Sequence, residues 1–129
     1  MALINSIFGW YIKKRIHQID LFIKYPHDVQ NDWFQQLLDT AKNTEWGKRY
    51  GYAEIKSVEE YKRRVPIQGY EGFKDDIERI IGGEQNVLWP TEITMFAKSS
   101  GTTSDKSKFI PVSQESLEDC HYKGGKDLM

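Results

Sequence analysis

Two segments of this chain have the composition of β-strands, and a single polar loop separates them. Residues 91–97 and 109–112 are rich in β-branched and aromatic side chains, and the loop between them runs from Lys98 to Lys108. Pro111 has no backbone N–H, so the second segment belongs at an edge or an end of a sheet. Two strands alone do not make a stable sheet. The pattern therefore predicts a strand–loop–strand element that belongs to a larger α/β fold.

The residues before this element have the periodicity of helices. Apolar side chains recur at spacings of three and four, which places them on one helical face. In the first predicted helix they are Ile4, Phe8, Tyr11, Ile12, Ile16, Ile19, Phe22 and Ile23. Pro26 ends that helix, and Asp28 caps a second helix that extends to Ala41. Trp46-Gly47 and Tyr50-Gly51 mark the end of the second helix and a turn.

Capping signals predict three further helices. Ser57 and Glu60 have the spacing of a capping box, in which each side chain binds a free amide at the helix start. Another helix covers residues 73–81, with Asp75-Asp76 in its first turn, where acidic residues favour the helix dipole. Ser113 caps the last helix. The predicted stops are Val65-Pro66, Gly82-Gly83 and Gly124-Gly125.

The composition excludes several classes of protein. With 39% hydrophobic and 29% charged residues the chain is globular, and a net charge of -1 favours neither nucleic acid nor anionic lipid as a partner. Cys120 is the only cysteine, which excludes an internal disulfide and a cysteine zinc site and suits the cytoplasm. We expect its side chain to be buried. The histidines share no metal-ligand spacing, so no metal site is predicted.

The apolar residues 2–12 precede the basic residues 13–15, the reverse of a secretory signal. The apolar run is also too short to span a bilayer. We interpret it as the start of a helix, with a membrane-surface helix as the alternative. The expected location is cytoplasmic.

The polar loop has the chemistry of a phosphate-binding site. Gly101 permits a close backbone approach, the hydroxyls are short-reach donors, and a lysine supplies positive charge. The candidate ligands are Ser99, Ser100, Gly101, Thr102, Thr103, Ser104 and either Lys106 or Lys108. A P-loop is excluded, because Asp105 stands where its second glycine belongs and a strand follows instead of a helix. The simpler alternative is a solvated turn without a ligand, although the loop is longer than a hairpin needs.

The loop resembles the nucleotide signature of the acyl-adenylate-forming superfamily, which reads Ser-Gly-Thr-Thr-Gly followed by a proline and a lysine. Within that superfamily the chain is most similar to the auxin-responsive promoter family of acyl-acid amido synthetases, including its bacterial members. The residues that carry the resemblance are Val65-Pro66-Ile67, Tyr70-Glu71, Ile80, Gly83-Glu84, Leu88, Phe96 and Ser99-Ser100-Gly101-Thr102. Ser104 replaces the second glycine of many members, and the lysine is displaced, which leaves Lys106 and Lys108 as alternatives.

The resemblance implies that residues 1–129 are the amino-terminal part of one large α/β adenylate-forming domain, truncated at the carboxy end. It implies that the parent enzyme uses ATP and Mg²⁺ to activate a carboxylic acid as an acyl-adenylate, which then reacts with an amine or amino acid. The loop residues, with Lys108 ahead of Lys106, would bind the phosphates, and no side chain here is assigned a catalytic role. The rest of the site would lie beyond Met129, so we expect the fragment to be inactive. The alternatives are an acyl-CoA ligase with a thiol acceptor and a non-catalytic helical interaction domain.

Overall fold

The computed structural model describes residues 15–100 and 107–127. Helical residues 15–24 (α1) are followed by α2 (Pro26–Ala41), α3 (Glu45–Tyr50), α4 (Val58–Arg64) and α5 (Lys74–Ile81), with short 3-10 turns at Tyr52–Glu54 and Tyr70–Gly72. Strands β1 (Met95–Lys98) and β2 (Phe109–Val112) come next, and then α6 (Gln114–Ser116), a π-helical stretch (Leu117–Tyr122) and α7 (Lys123–Asp127). Outside the described residues lie the segment 2–12 and the loop residues Gly101, Thr102, Thr103, Ser104 and Lys106.

The described residues divide into two compact units, one ending at Gln36 and the other beginning at Leu37. In the first unit, the helix break predicted near Pro26 is confirmed. Pro26 is the first residue of α2, a position where its missing N–H has no intrahelical partner to lose. Asp28 therefore lies in the first turn, and its predicted role as the cap is wrong. Among the described residues, no helix is long and apolar enough to cross a membrane.

The second unit begins with a tight connection between α2 and α3. The buried Thr44 hydroxyl accepts a hydrogen bond from the Gly47 N–H (2.9 Å) and donates one to the Ala41 carbonyl (2.7 Å). This cap starts α3 at Glu45, so Trp46 and Gly47 are helical and the turn predicted there is wrong. The predicted turn at Gly51 is confirmed, since its φ of 66° is a left-handed conformation that glycine adopts without strain.

Helix α4 follows its predicted capping signal closely, and α5 (Lys74–Ile81) begins one residue later than predicted. The Glu60 N–H donates to the Ser57 hydroxyl at 3.2 Å. The Glu60 carboxylate accepts from the N–H of Lys56 at 3.0 Å, one residue before the cap. Helix α4 ends before Val65, as predicted. On α5 the buried face includes Ile77 and Ile80, whereas Ile81 is 49% exposed.

The two strands form an antiparallel hairpin in which Met95 pairs with Val112 and Lys98 with Phe109. The first strand is shorter than predicted, because the Ile93 N–H donates to the Gln85 side chain (3.0 Å) before the ladder begins. Phe96 packs against the core cluster of Ile80, Val87 and Ile93. This contact fixes β1 against α5. The element that follows the loop is a strand and not a helix, which agrees with the exclusion of a P-loop.

The carboxy-terminal helical segment starts where the sequence predicts and continues further than expected. The Ser113 hydroxyl accepts from the Ser116 N–H at 3.1 Å, which confirms the cap. The helix passes through Gly124 and Gly125, so the predicted stop there is wrong. Each glycine costs a helix only about 1 kcal/mol, which neighbouring turns can offset. Cys120 is exposed, in contrast to the expected burial.

Candidate phosphate-binding loop

Two hydrogen bonds between Ser99 and Lys108 close the base of the loop. One residue beyond the last strand pair, the Ser99 N–H donates to the Lys108 carbonyl at 2.9 Å. In return the Lys108 N–H donates to the Ser99 hydroxyl oxygen, also at 2.9 Å. The serine side chain thus stands in for its own carbonyl in the ladder, and it retains a hydroxyl hydrogen to donate. Two residues that the sequence predicted for the site are therefore adjacent.

The two lysines that flank the loop belong to opposite faces of the hairpin. Side chains alternate along a strand, so Lys108 shares the face of Ser99, and Lys98 shares the face of Phe109. The ammonium of Lys98 lies 5.8 Å from the centre of the Phe109 ring. The ammonium of Lys108 lies 5.8 Å from the centre of the Tyr70 ring. Lys98 was not predicted as a site residue; its place directly before Ser99 was the available signal.

Tyr70 binds the free edge of β2 with its hydroxyl group. The hydroxyl accepts from the Phe109 N–H at 3.1 Å and donates to the Phe109 carbonyl at 3.2 Å. A residue in a non-hydrogen-bonded antiparallel pair directs both backbone groups away from its partner strand, and here Tyr70 receives them. Tyr70 was not predicted as a site residue, because a contact across 39 residues leaves no local pattern.

The donors at this end of the hairpin suit an anion. Ser99 and the exposed Ser100 offer hydroxyls and Lys108 offers an ammonium, which are phosphate donors. They are not ligands that Mg²⁺ prefers, and the described residues include no cluster of three or more histidine, cysteine or acidic side chains. The donor set therefore fits a nucleotide phosphate and does not fit a resident magnesium ion. The roles of Gly101 through Ser104 stay predictions.

An ion-pair network ties α3 to α5, the helix on which β1 packs. Asp76 of α5 is 6% exposed, and its carboxylate lies 3.1 Å from both Arg49 and Arg79. Glu45 binds Arg79 at 2.5 Å and Arg49 at 2.9 Å, and Arg79 also binds Glu84. Asp76 was predicted to favour the helix dipole; the structure shows that it also pairs with Arg49 of α3 and with Arg79 of its own helix.

Glu45 makes the stability of this network depend on pH. Hydrogen bonds from Arg79 first, and then from Arg49, lower the pKa of Glu45 from 4.5 to about 2. Its folded-state pKa lies below its unfolded value, so its contribution is present above pH 4.5 and is lost as the pH falls through about 2.

Replacing Glu45 with glutamine is expected to lower the free energy of unfolding at neutral pH and to weaken its dependence on pH between 4.5 and 2. The difference in urea midpoint between the wild type and Glu45→Gln should shrink as the pH falls from 4.5 towards 2, because the wild-type carboxylate becomes neutral. Midpoints measured across this range test the prediction, with exposed Glu59→Gln on α4 as the control. A constant difference at every pH would contradict it.

The described residues are mostly helical and carry a two-stranded antiparallel hairpin, as the predicted amino-terminal fragment of a larger α/β domain requires. The family model described as "GH3 family N-terminal domain" matches residues 15–128. The chain therefore belongs to the GH3 family, which confirms the resemblance found in the sequence. The match extends on both sides of the residues that carry that resemblance, which lie between Val65 and Thr102.

Several named relatives are similar over most of this chain. An indole-3-acetic acid-amido synthetase of Arabidopsis thaliana is 31% identical over 81% of the chain and 19% of its own length. A jasmonoyl-L-amino acid synthetase of Oryza sativa is 29% identical over 82% of the chain and 18% of its length. One from Nicotiana attenuata is 28% identical over 80% and 18%. The chain thus spans about a fifth of the length of these relatives.

Proposed function

We propose that this chain is the amino-terminal part of an ATP-dependent acyl-acid amido synthetase and that its hairpin loop binds the phosphates of ATP. The observation that carries the proposal is the loop base, where Ser99 and Lys108 are bonded across the hairpin on one face. Membership of the family supports the reaction class. Residues 1–129 would form one piece of a single large domain.

In the proposed reaction, an oxygen of the substrate carboxylate attacks the α-phosphorus of ATP and pyrophosphate leaves. The nitrogen of an amine then attacks the acyl carbon, the bond to AMP breaks, and the amine loses a proton to solvent or base. A carboxylate is already a nucleophile, so the first step depends on positioning and charge neutralisation. Ser99, Ser100, Thr102 and Thr103 would donate to phosphate oxygens, and Lys108 would offset their charge.

The names of the relatives indicate the class of substrates. They are named for indole-3-acetic acid and for jasmonoyl conjugates of amino acids. A small carboxylic acid and an amino acid are therefore the proposed substrates of this enzyme. When bound, Mg²⁺ would neutralise phosphate charge; the described residues include no group of three or more histidine, cysteine or acidic side chains that could hold it.

The complete protein tests this function. We expect pyrophosphate release from ATP that depends on a carboxylic acid, with indole-3-acetic and jasmonic acids as the first probes. The double variant Ser100→Ala/Thr102→Ala should release pyrophosphate at least about tenfold more slowly, because each hydroxyl is proposed to donate to a charged oxygen. The matched variant Ser116→Ala should retain that rate, because the Ser116 hydroxyl donates to the Ser113 carbonyl at the start of α6. Acid-dependent release that is identical in the double variant would overturn the phosphate-loop assignment.

Product analysis separates the rival functions. Offered amino acids and CoA together, the complete enzyme should form the amide; formation of the thioester instead would identify an acyl-CoA ligase. A non-catalytic interaction domain would release no pyrophosphate with any acid. Membership of the bacterial branch, a cytoplasmic location and inactivity of the isolated fragment stay predictions from the sequence.

A further inference from the structure

We propose that Tyr70 is a positioning residue for the phosphate loop, holding both the backbone of β2 and the ammonium of Lys108 in place for ATP. The proposal rests on the proposed function, since it concerns the same loop. Tyr70 itself touches no phosphate in this scheme. It acts through the two groups that its hydroxyl and its ring contact.

The hydroxyl of Tyr70 holds the main chain of β2 in position at the base of the loop. A phenol can donate one hydrogen bond and accept another, and Tyr70 uses both on the single residue Phe109. Phe109 is the first residue of β2 after the loop and pairs with Lys98. A two-stranded ladder is weak by itself, so a bond on its outer edge restricts the sliding and fraying that would move the loop.

The ring of Tyr70 restricts the side chain of Lys108. Lysine carries its charge on a flexible four-carbon stem, so its ammonium samples many positions unless something holds it. The ammonium lies 5.8 Å from the centre of the Tyr70 ring, within the range of a cation–π contact. The main chain of Lys108 is meanwhile bonded to Ser99. The main chain of Lys108 is therefore held by Ser99, and its side chain is held by the ring of Tyr70.

Tyr70 is itself attached to a rigid part of the fold. It opens the 3-10 turn that leads into α5. Phe73, at the end of this turn, stacks on buried Trp46 with a centroid distance of 5.0 Å and an interplanar angle of 26°. Helix α5 also carries Ile80, against whose cluster Phe96 of β1 packs. One element therefore positions both strands, β1 through apolar packing and β2 through Tyr70.

The test measures ATP affinity and kinetics in the complete enzyme. In Tyr70→Phe, which keeps the ring, the KM for ATP and the Kd for ATP by calorimetry should rise about three- to tenfold, the loss expected for one or two neutral hydrogen bonds. At saturating ATP, kcat should stay within about twofold and the KM for the acid should not change. Exchange of the Phe109 amide hydrogen should become faster. Tyr25→Phe, at an exposed tyrosine outside the site, is the matched control.

The ring contribution is isolated by a double-mutant cycle. Tyr70→Leu should weaken ATP binding further than Tyr70→Phe. This extra loss should vanish in the Lys108→Met background, because the ring then has no ammonium to hold. Equal losses in both backgrounds would overturn the part of the proposal that concerns Lys108.

Two outcomes distinguish this inference from the function beneath it. If Ser100→Ala weakens ATP binding and Tyr70→Phe only lowers the melting temperature, Tyr70 is structural and the inference fails alone. If neither variant alters ATP binding, the phosphate-loop function fails with it. Unchanged exchange at Phe109 in Tyr70→Phe also overturns the inference, since the hydrogen bonds would then not exist in solution.

Discussion

Replacing Gly47 with alanine is expected to destabilise the second unit by about 3 kcal/mol, because the added methyl group has no space. A Cβ at Gly47 would lie 2.1 Å from the carbonyl oxygen of Ala41 and 2.9 Å from its carbonyl carbon. Both atoms belong to the main chain, so no side-chain rotation relieves the overlap. Either α3 or the end of α2 has to move.

Movement of α3 would break several bonds that meet at this connection. The Gly47 N–H caps onto Thr44, which in turn binds Ala41. The N–H groups of Glu45 and Trp46 donate, each at 3.0 Å, to the carbonyls of residues 86 and 87. Burial of an unpaired amide costs about 1–3 kcal/mol, so the loss of even one of these bonds matches the cost of the overlap itself. This is why relaxation is not expected to rescue the variant.

The measurement is the urea midpoint of Gly47→Ala compared with that of Gly69→Ala. At Gly69 a Cβ would meet no atom within 4 Å, and its φ of -81° suits any residue, so that variant should remain within about 0.5 kcal/mol of the wild type. Both variants change the unfolded chain in the same way. The difference between them therefore reports the overlap alone, and equal midpoints would show that the close approach to Ala41 does not exist in solution.

Gly47 also shows where reasoning from the sequence stops. Helix starts at Ser57 and Ser113, and the turn at Gly51, were predicted because caps and turns involve residues a few positions apart. Trp46-Gly47 was wrongly assigned to a turn. Glycine at this position serves a close contact between helices, and a single sequence does not distinguish that requirement from the backbone freedom of a turn.

The strands illustrate the same limit. The first strand was predicted from residue 91, but its early residues bind a side chain instead of a partner strand. Strand β2 was predicted correctly, since its bounds follow from Phe109 and Pro111 within the segment itself. In a two-stranded sheet, pairing decides the length of each strand, and pairing is not encoded locally.

The candidate site was predicted in part. The hydroxyl-rich loop and Lys108 follow from composition and resemblance, and the structure places Lys108 beside Ser99. Tyr70 and Asp76 act through contacts with residues far along the chain, across 39 positions in the first case and 27 in the second. No periodicity or spacing rule joins such residues, and only the folded chain reveals them.

Lys108→Met in the complete enzyme is expected to reduce kcat/KM for ATP by about 10²–10³-fold, the effect of removing one donor from developing negative charge. Methionine keeps most of the length and apolar surface of the lysine stem, so the change mainly removes the charge. We assign this role to Lys108 and not to Lys98, because Lys108 shares the face of Ser99 and is bonded to it.

Lys98→Met is a closely matched control. Each lysine flanks the same loop, and each ammonium lies 5.8 Å from the centre of an aromatic ring, so both variants lose a comparable cation–π contact. Lys98 belongs to the opposite face, and its loss should change kcat/KM by less than about threefold, an effect no larger than that of an exposed ion pair. The difference between the two variants then reports charge at the phosphates.

The third variant, Lys106→Met, resolves the alternative that the sequence left open. If Lys108 neutralises the phosphates, Lys106→Met should lower the rate by much less than Lys108→Met. Added salt should also weaken ATP binding less in Lys108→Met than in the wild type, because the variant lacks the lysine charge whose attraction to phosphate the salt would screen. If Lys106→Met carries the large loss, the assignment of Lys108 is wrong although the loop still binds phosphate. Equal small losses in all three variants would mean that no lysine here neutralises the phosphates, and the role of the hairpin in adenylation would have to be abandoned.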